Sequence, residues 1–189
     1  DNLLASMAAN NIGLIVTPGC DISSSQAAVA LAEKYPFIYA AVGIHPENCH
    51  DYSDSQLSQL RILAAHPKVV AIGEIGLDYY WDENPPADIQ KECFKSQMQL
   101  ASELHLPVII HDREAHADCL ETVKLFPNLK TVFHCYSGST EMAQKLLKLG
   151  HYLSFTGVIT YKNAKKAPDV VRIIPHDRLM IETDSPYLA

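Results

Sequence analysis

Short apolar runs rich in β-branched residues alternate with helical segments along nearly the whole chain, and that alternation is what most restricts the fold. The strand-type runs cover residues 14–16, 38–43, 69–74, 107–110, 131–133, 152–155 and 179–181. Apolar residues at helical spacing predict helices over 23–35, 53–65, 87–104, 114–126, 140–149 and 167–174, the last weakened by Pro168. Residues 1–10 read as the last turns of a helix that stops near Asn10, Asn11 and Gly13. Strands separated by helices pair in parallel, because parallel neighbours need long crossover connections.

Two architectures satisfy this pattern, an open doubly wound sheet and a (β/α)8 barrel. The first strand is followed by Thr17-Pro18-Gly19-Cys20, which is not the glycine-rich turn of a dinucleotide-binding sheet. The barrel asks for eight strands and about 250 residues, so this chain is short by one strand and one or two helices. With 189 residues, 48% of them hydrophobic, there is enough material for one sizeable core, and a single domain over 1–189 is expected. The net charge of −7 argues against a protein that coats nucleic acid electrostatically, so any handling of phosphates must be local. Five cysteines without CxxC spacing suggest free thiols in a reducing compartment, and no run is long and apolar enough for a membrane span; a soluble cytoplasmic protein is expected.

In a barrel of this kind the chemistry sits at the carboxyl ends of the strands. His45, Glu74, His111, His134 and Asp184 each close an apolar run on a different strand, which would aim all five into one mouth. Glu74 is central. It lies between Gly73 and Gly76, read here as a tight turn at the end of a strand buried on both faces, and a buried carboxylate needs a cation, donors or a metal ion to match it. Taken singly, each residue has an ordinary structural explanation: a core histidine, an Asx turn at Asp184, a strand end at His45 before Pro46. Together, imidazoles and carboxylates from separate strands are what a hydrolytic site for divalent cations requires. The other histidines, His50, His66, His105, His116, His151 and His176, fall in helices or away from this pattern and read as surface or structural.

Five ordered segments carry a resemblance: Gly43-Ile44-His45-Pro46, Gly73-Glu74-Ile75-Gly76-Leu77-Asp78-Tyr79-Tyr80, Pro107-Val108-Ile109-Ile110-His111, His134-Cys135-Tyr136-Ser137-Gly138 and Glu182-Thr183-Asp184-Ser185-Pro186-Tyr187-Leu188. The chain closely resembles the TatD-type metal-dependent deoxyribonucleases. The resemblance implies a TIM-barrel hydrolase that uses two divalent metal ions, Mg2+ first with Mn2+ or Zn2+ as alternatives, to cleave phosphodiester bonds of DNA as a 3′ to 5′ exonuclease. By position, Glu74 would bridge the two ions, His111 and His134 would bind the second, and Asp184 would complete the first; Glu74 and Asp184 form the catalytic pair, with Asp184 orienting or deprotonating the attacking water. His45 stands at the same mouth as a substrate-binding residue. Arg113 and Lys162, with Lys165 and Lys166, are expected to meet flanking phosphates, and Tyr79, Tyr80 and Trp81 to stack on unpaired bases at a single-stranded 3′ end, of DNA first and RNA second.

One departure stands out. Members of that family open with a strand bearing a His-x-His pair that binds the first ion, and this sequence has none. That strand and the helix after Tyr187 are expected to lie outside the chain, which should then hold the second ion better than the first. Two other readings compete: a related amidohydrolase acting on an amide, ester or lactone, and a barrel kept as a scaffold without chemistry.

Overall fold

The structure, a computed structural model, describes residues 2–185; the expectations for Pro186, Tyr187 and Leu188 lie outside them. The chain begins with α1 (Asn2–Ala5) and a 3-10 turn, Ala8–Asn10, that stops at Asn11 with φ 59°. There follow β1 (Ile15–Pro18), α2 (Ile22–Lys34), β2 (Ile38–Val42), α3 (Asp54–Ala64), β3 (Val69–Asp78), α4 (Ala87–Leu104), β4 (Val108–Arg113), α5 (His116–Lys124), β5 (Thr131–Phe133), α6 (Thr140–Lys148), β6 (Tyr152–Phe155), α7 (Lys166–Val171) and β7 (Leu179–Ile181). The strands are parallel and lie in one sheet in chain order, β1 to β7. This is the curled, barrel-type sheet expected from the alternation.

Helix starts follow ordinary capping. Asp21 accepts from the Ser24 amide while the Ser24 hydroxyl accepts from the Asp21 amide, a reciprocal box that begins α2 one residue before the serine run. Ser139 accepts from the Met142 amide at the start of α6. The stripe of α4 is more informative. Gln90, Cys93, Phe94, Gln97, Met98 and Ala101 recur at helical spacing and are all buried, so two amides sit on the apolar face. Each clamps a strand end. Gln97 accepts from the Ile44 amide at 2.8 Å and donates to the Ile44 carbonyl at 3.0 Å; Gln90 does the same to Asp78, at 2.8 and 2.9 Å. Helix α4 thereby fixes the backbone beside His45 and at the end of β3.

β3 corrects the sequence reading. The strand does not turn at Gly73 and Gly76; it continues to Asp78, buried at every position but Val70. Its register against β4 shifts between Ile72, which pairs with Val108, and Ile75, which pairs with Ile110. Three steps on β3 match two on β4, so Glu74 sits in a bulge, the device that re-aims a side chain within a ladder. The glycines serve the close approach of the strands. A Cβ on Gly73 would lie 2.7 Å from Ile109 Cβ, and one on Gly76 would lie 2.0 Å from the His111 carbonyl oxygen. β4 also runs further than expected, through Asp112 and Arg113, and Asp112 lies 2.9 Å from His116 Nδ1 on α5 rather than in a loop.

His151, just before β6 at the amino end of that strand, is buried, and its Nδ1 has no hydrogen-bond partner among the described residues. Burial, with the charge of Lys130, holds it down to about 4. The unfolded chain takes up this proton near 6.5 and the folded chain does not, so stability falls as pH drops from about 6.5 to 4, by up to about 1.4 kcal/mol per pH unit. His151→Leu is expected to flatten the fall of Tm across that window in a melting series; parallel curves for the two proteins would contradict the assignment.

Candidate metal centre

The carboxyl ends of β2, β3, β4, β5 and β7 bring one cluster together. Glu74 is buried, and its Oε1 lies 3.0 Å from His111 Nδ1 and 3.8 Å from both His45 Nε2 and His134 Nε2. Ligand atoms of His45, Glu74 and His111 all fall within 4.8 Å of one another. Asp184 Oδ1 approaches His134 Nε2 at 3.6 Å from the end of β7.

Each imidazole is oriented from behind. His111 Nε2 meets Oδ2 of Asp78, a wholly buried carboxylate, at 2.8 Å. His134 Nδ1 pairs with Glu182 Oε2, and the other oxygen of Glu182 accepts from the Cys135 amide at 2.7 Å. His45 Nδ1 accepts from the Glu47 amide at 3.3 Å, which leaves its proton on Nε2, facing Glu74. These are the carboxylate and backbone supports that fix ring orientation at a metal site.

The electrostatics follow from crowding carboxylates and imidazoles in a buried space. Burial alone would push Glu74 up, but the His111 hydrogen bond and the charge of His134 outweigh it and hold the carboxyl at about 2. Burial likewise opposes the His111 imidazolium, yet the bonds to Asp78 and Glu74 raise it to about 9. His45 goes the other way, to about 4, through burial and the neighbouring charge of His111, and is neutral. In this structure His111 faces both Glu74 and Asp78 with positive charge, joined by His134 beside Glu74 and Arg113 near Asp78.

The donor set fits a divalent cation. Gaps of 3.6 and 3.8 Å from His134 Nε2 to Asp184 and Glu74 are too long for hydrogen bonds. They suit nitrogen and oxygen donors sharing one ion at bond lengths of about 2.1 Å. Two members of the cluster, Asp78 and Glu182, were not singled out from the sequence, although both stand inside the motif segments. Asp78 is four residues beyond Glu74, an even step that would return it to the same face of a regular strand, and Glu182 directly follows β7.

The outer residues separate. Arg113 stacks on Tyr80 and Trp81, its guanidinium carbon 4.0 and 5.2 Å from the two ring centroids, and the rings meet edge to face at 4.7 Å. Tyr79 faces elsewhere: it is half-buried, and its hydroxyl donates to Asp118 on α5 at 2.9 Å. Lys162 lies exposed in the loop after β6, while Lys165 and Lys166 line a pocket beside the cluster.

Carboxyl strand ends of a barrel-type parallel sheet, with imidazoles facing carboxylates, define the class: a metal-dependent hydrolase. Within it, the chain belongs to the TatD family, since residues 1–189 match the family described as TatD related DNase. It is 47% identical over 182 residues to the "Uncharacterized metal-dependent hydrolase YabD" of Bacillus subtilis, spanning 95% of this chain and 71% of that protein. It is 36% identical over 191 residues to the "3'-5' ssDNA/RNA exonuclease TatD" of Cronobacter turicensis, spanning 100% of this chain and 72% of the relative. The crystal structure of YJJV, a TatD homologue from Escherichia coli K12, matches with a TM-score of 0.91 at 35% identity, over 98% of this chain and 74% of that one. Among the described residues no helix is long and apolar enough to cross a membrane.

Proposed function

We propose that the chain acts as one domain that removes nucleotides from the 3′ ends of single-stranded DNA, and of RNA, by metal-dependent hydrolysis. The observation that carries this reading is the convergence of His45, Glu74, His111, His134 and Asp184 from five strand ends, with Glu74 at the centre. The Cronobacter relative's name supports the substrate and polarity. Glu74, His111 and His134 would hold one divalent ion, and Asp184 with Glu74 would contribute to a second; Mg2+ is the first candidate. When bound, such ions supply the positive charge that stabilises a phosphoryl group and its leaving oxygen.

The chain's own residues do the rest. Asp184, half-buried at the mouth, accepts the proton of the attacking water. His45, neutral and with its proton on Nε2, donates to a non-bridging phosphate oxygen, and Asp78 and Glu182 keep His111 and His134 in their orientations. Arg113 meets a neighbouring phosphate, as does Lys162 in the loop after β6, while Tyr80 and Trp81, about half exposed, offer ring faces to unpaired bases. Tyr79, just after β3, is instead anchored to Asp118 on α5.

The test is release of mononucleotides from an end-labelled single strand. With Mg2+ or Mn2+ the wild type should shorten the strand from its 3′ end, chelator should stop it, and His134→Ala should lower the rate at least about a hundredfold. Undiminished release by His134→Ala would refute the reading. Cleavage of an ester or lactone, with DNA and RNA left intact, would replace it by a carbonyl hydrolase.

A further inference from the structure

A pocket of about 370 Å³ opens beside the cluster, between the loop after β5 and the loop joining β6 to α7. Its wall is mainly apolar, built by Tyr136, Phe155, Val158, Ile159 and Ala164. The Tyr136 and Phe155 rings stand edge to face at 6.2 Å in this wall, and the Tyr136 hydroxyl donates to the Ser139 carbonyl at 2.8 Å. The pocket adjoins the metal centre through the loop after β5. Its lining includes Cys135, next in the chain to His134; the Cys135 amide donates to Glu182, and the Cys135 sulfur lies 3.6 Å from Thr156 Oγ1 in the same lining. Lys165 and Lys166, both exposed, give it a positive rim.

We propose that this pocket receives the terminal nucleoside of the strand whose scissile phosphate lies at the carboxylate and imidazole cluster; the proposal rests on the nuclease reading above. The size is at the lower end for small-molecule sites, and flat apolar walls stack a base of any kind. Asn163 brings a side-chain amide and Ser137 and Thr156 bring hydroxyls to the lining, a set too small to tell four different base edges apart, so digestion should be tolerant of sequence. In the reaction the water oxygen bonds to phosphorus and the bond from phosphorus to the 3′ oxygen of the preceding nucleotide breaks. The proton lost by water ends on that 3′ oxygen. The products are a strand with a 3′ hydroxyl and a nucleoside 5′-monophosphate whose nucleoside occupies the pocket and whose phosphate occupies the metal centre. The two lysines at the pocket rim attract the negatively charged product.

Binding without turnover tests this. Titrated calorimetrically with Mn2+ present, the wild type should bind thymidine 5′-monophosphate at least about tenfold more tightly than inorganic phosphate, the difference being the nucleoside. Ala164→Trp, which fills the space, should erase that preference while phosphate still binds. Lys165→Glu, an exposed change that leaves folding intact, should weaken the monophosphate several-fold and serves if the tryptophan variant does not fold. No preference for the monophosphate in the wild type, or an unchanged preference in both variants, would overturn the pocket assignment. Failure of the nuclease reading shows separately, as no metal-dependent release from a labelled strand by the wild type.

Discussion

Mn2+ is expected to raise the Tm of the wild type, and Glu74→Gln is expected to abolish that rise and to lower metal-dependent nucleotide release at least about a thousandfold. The substitution keeps the shape of the side chain, so it tests charge. Glu74 Oε1 faces all three imidazoles, at 3.0 Å from His111 and 3.8 Å from His45 and His134, and among the described residues no other carboxylate reaches all three. Without its charge, His111 keeps Asp78 as a partner at 2.8 Å, so the metal-free protein should melt close to the wild type. The two readouts separate the causes. A variant that folds, yet gains no stability from Mn2+ and releases no nucleotides, places the defect at the ligand; one that keeps the full Mn2+ shift would show that Glu74 is not a ligand.

What the sequence made legible is what depends on period and spacing. Seven strands and the helices between them could be placed because short apolar runs alternate with stripes at helical spacing, and the ends of β5, β6, β7 and α4 agree closely with the structure. The strand-end residues were legible for the same reason, since a parallel barrel puts all such ends at one mouth. The bulge in β3 was not. Gly73 and Gly76 look like turn residues in a linear reading, and only the distance to Ile109 and His111 shows that they let two strands touch. Gln90 and Gln97 interrupt an apolar stripe, and nothing local says that their partners are backbone groups at Asp78 and Ile44. Asp78 and Glu182 escaped because their role is to hold an imidazole contributed by another strand, a relation that exists only after folding. Tyr79 could be distinguished from Tyr80 and Trp81 only once α5 had placed Asp118 beside its hydroxyl.

The dependence of the site on that strand contact gives the second large effect. Gly76→Ala should lower Tm by roughly 6–12 °C, the equivalent of about 3 kcal/mol in a chain of this size, and cut nucleotide release more than about a hundredfold. Two causes act together. The added Cβ would lie 2.0 Å from the His111 carbonyl oxygen and 2.9 Å from its carbonyl carbon, backbone atoms that cannot swing aside as a side chain would. Gly76 also has φ near 148°, a conformation that side chains rarely adopt. Relief requires β3 and β4 to part where Gly76 pairs with His111, and His111 is the residue held between Glu74 and Asp78. Gly13→Ala is the control, since nothing lies within 4 Å of a Cβ there, and it should leave Tm and activity close to the wild type. If Gly76→Ala melted and reacted like that control, the close approach of the strands would not be what sets His111 against Glu74. A loss of activity larger than the loss of stability explains would mean that the bulge exists to aim the site as well as to close the sheet.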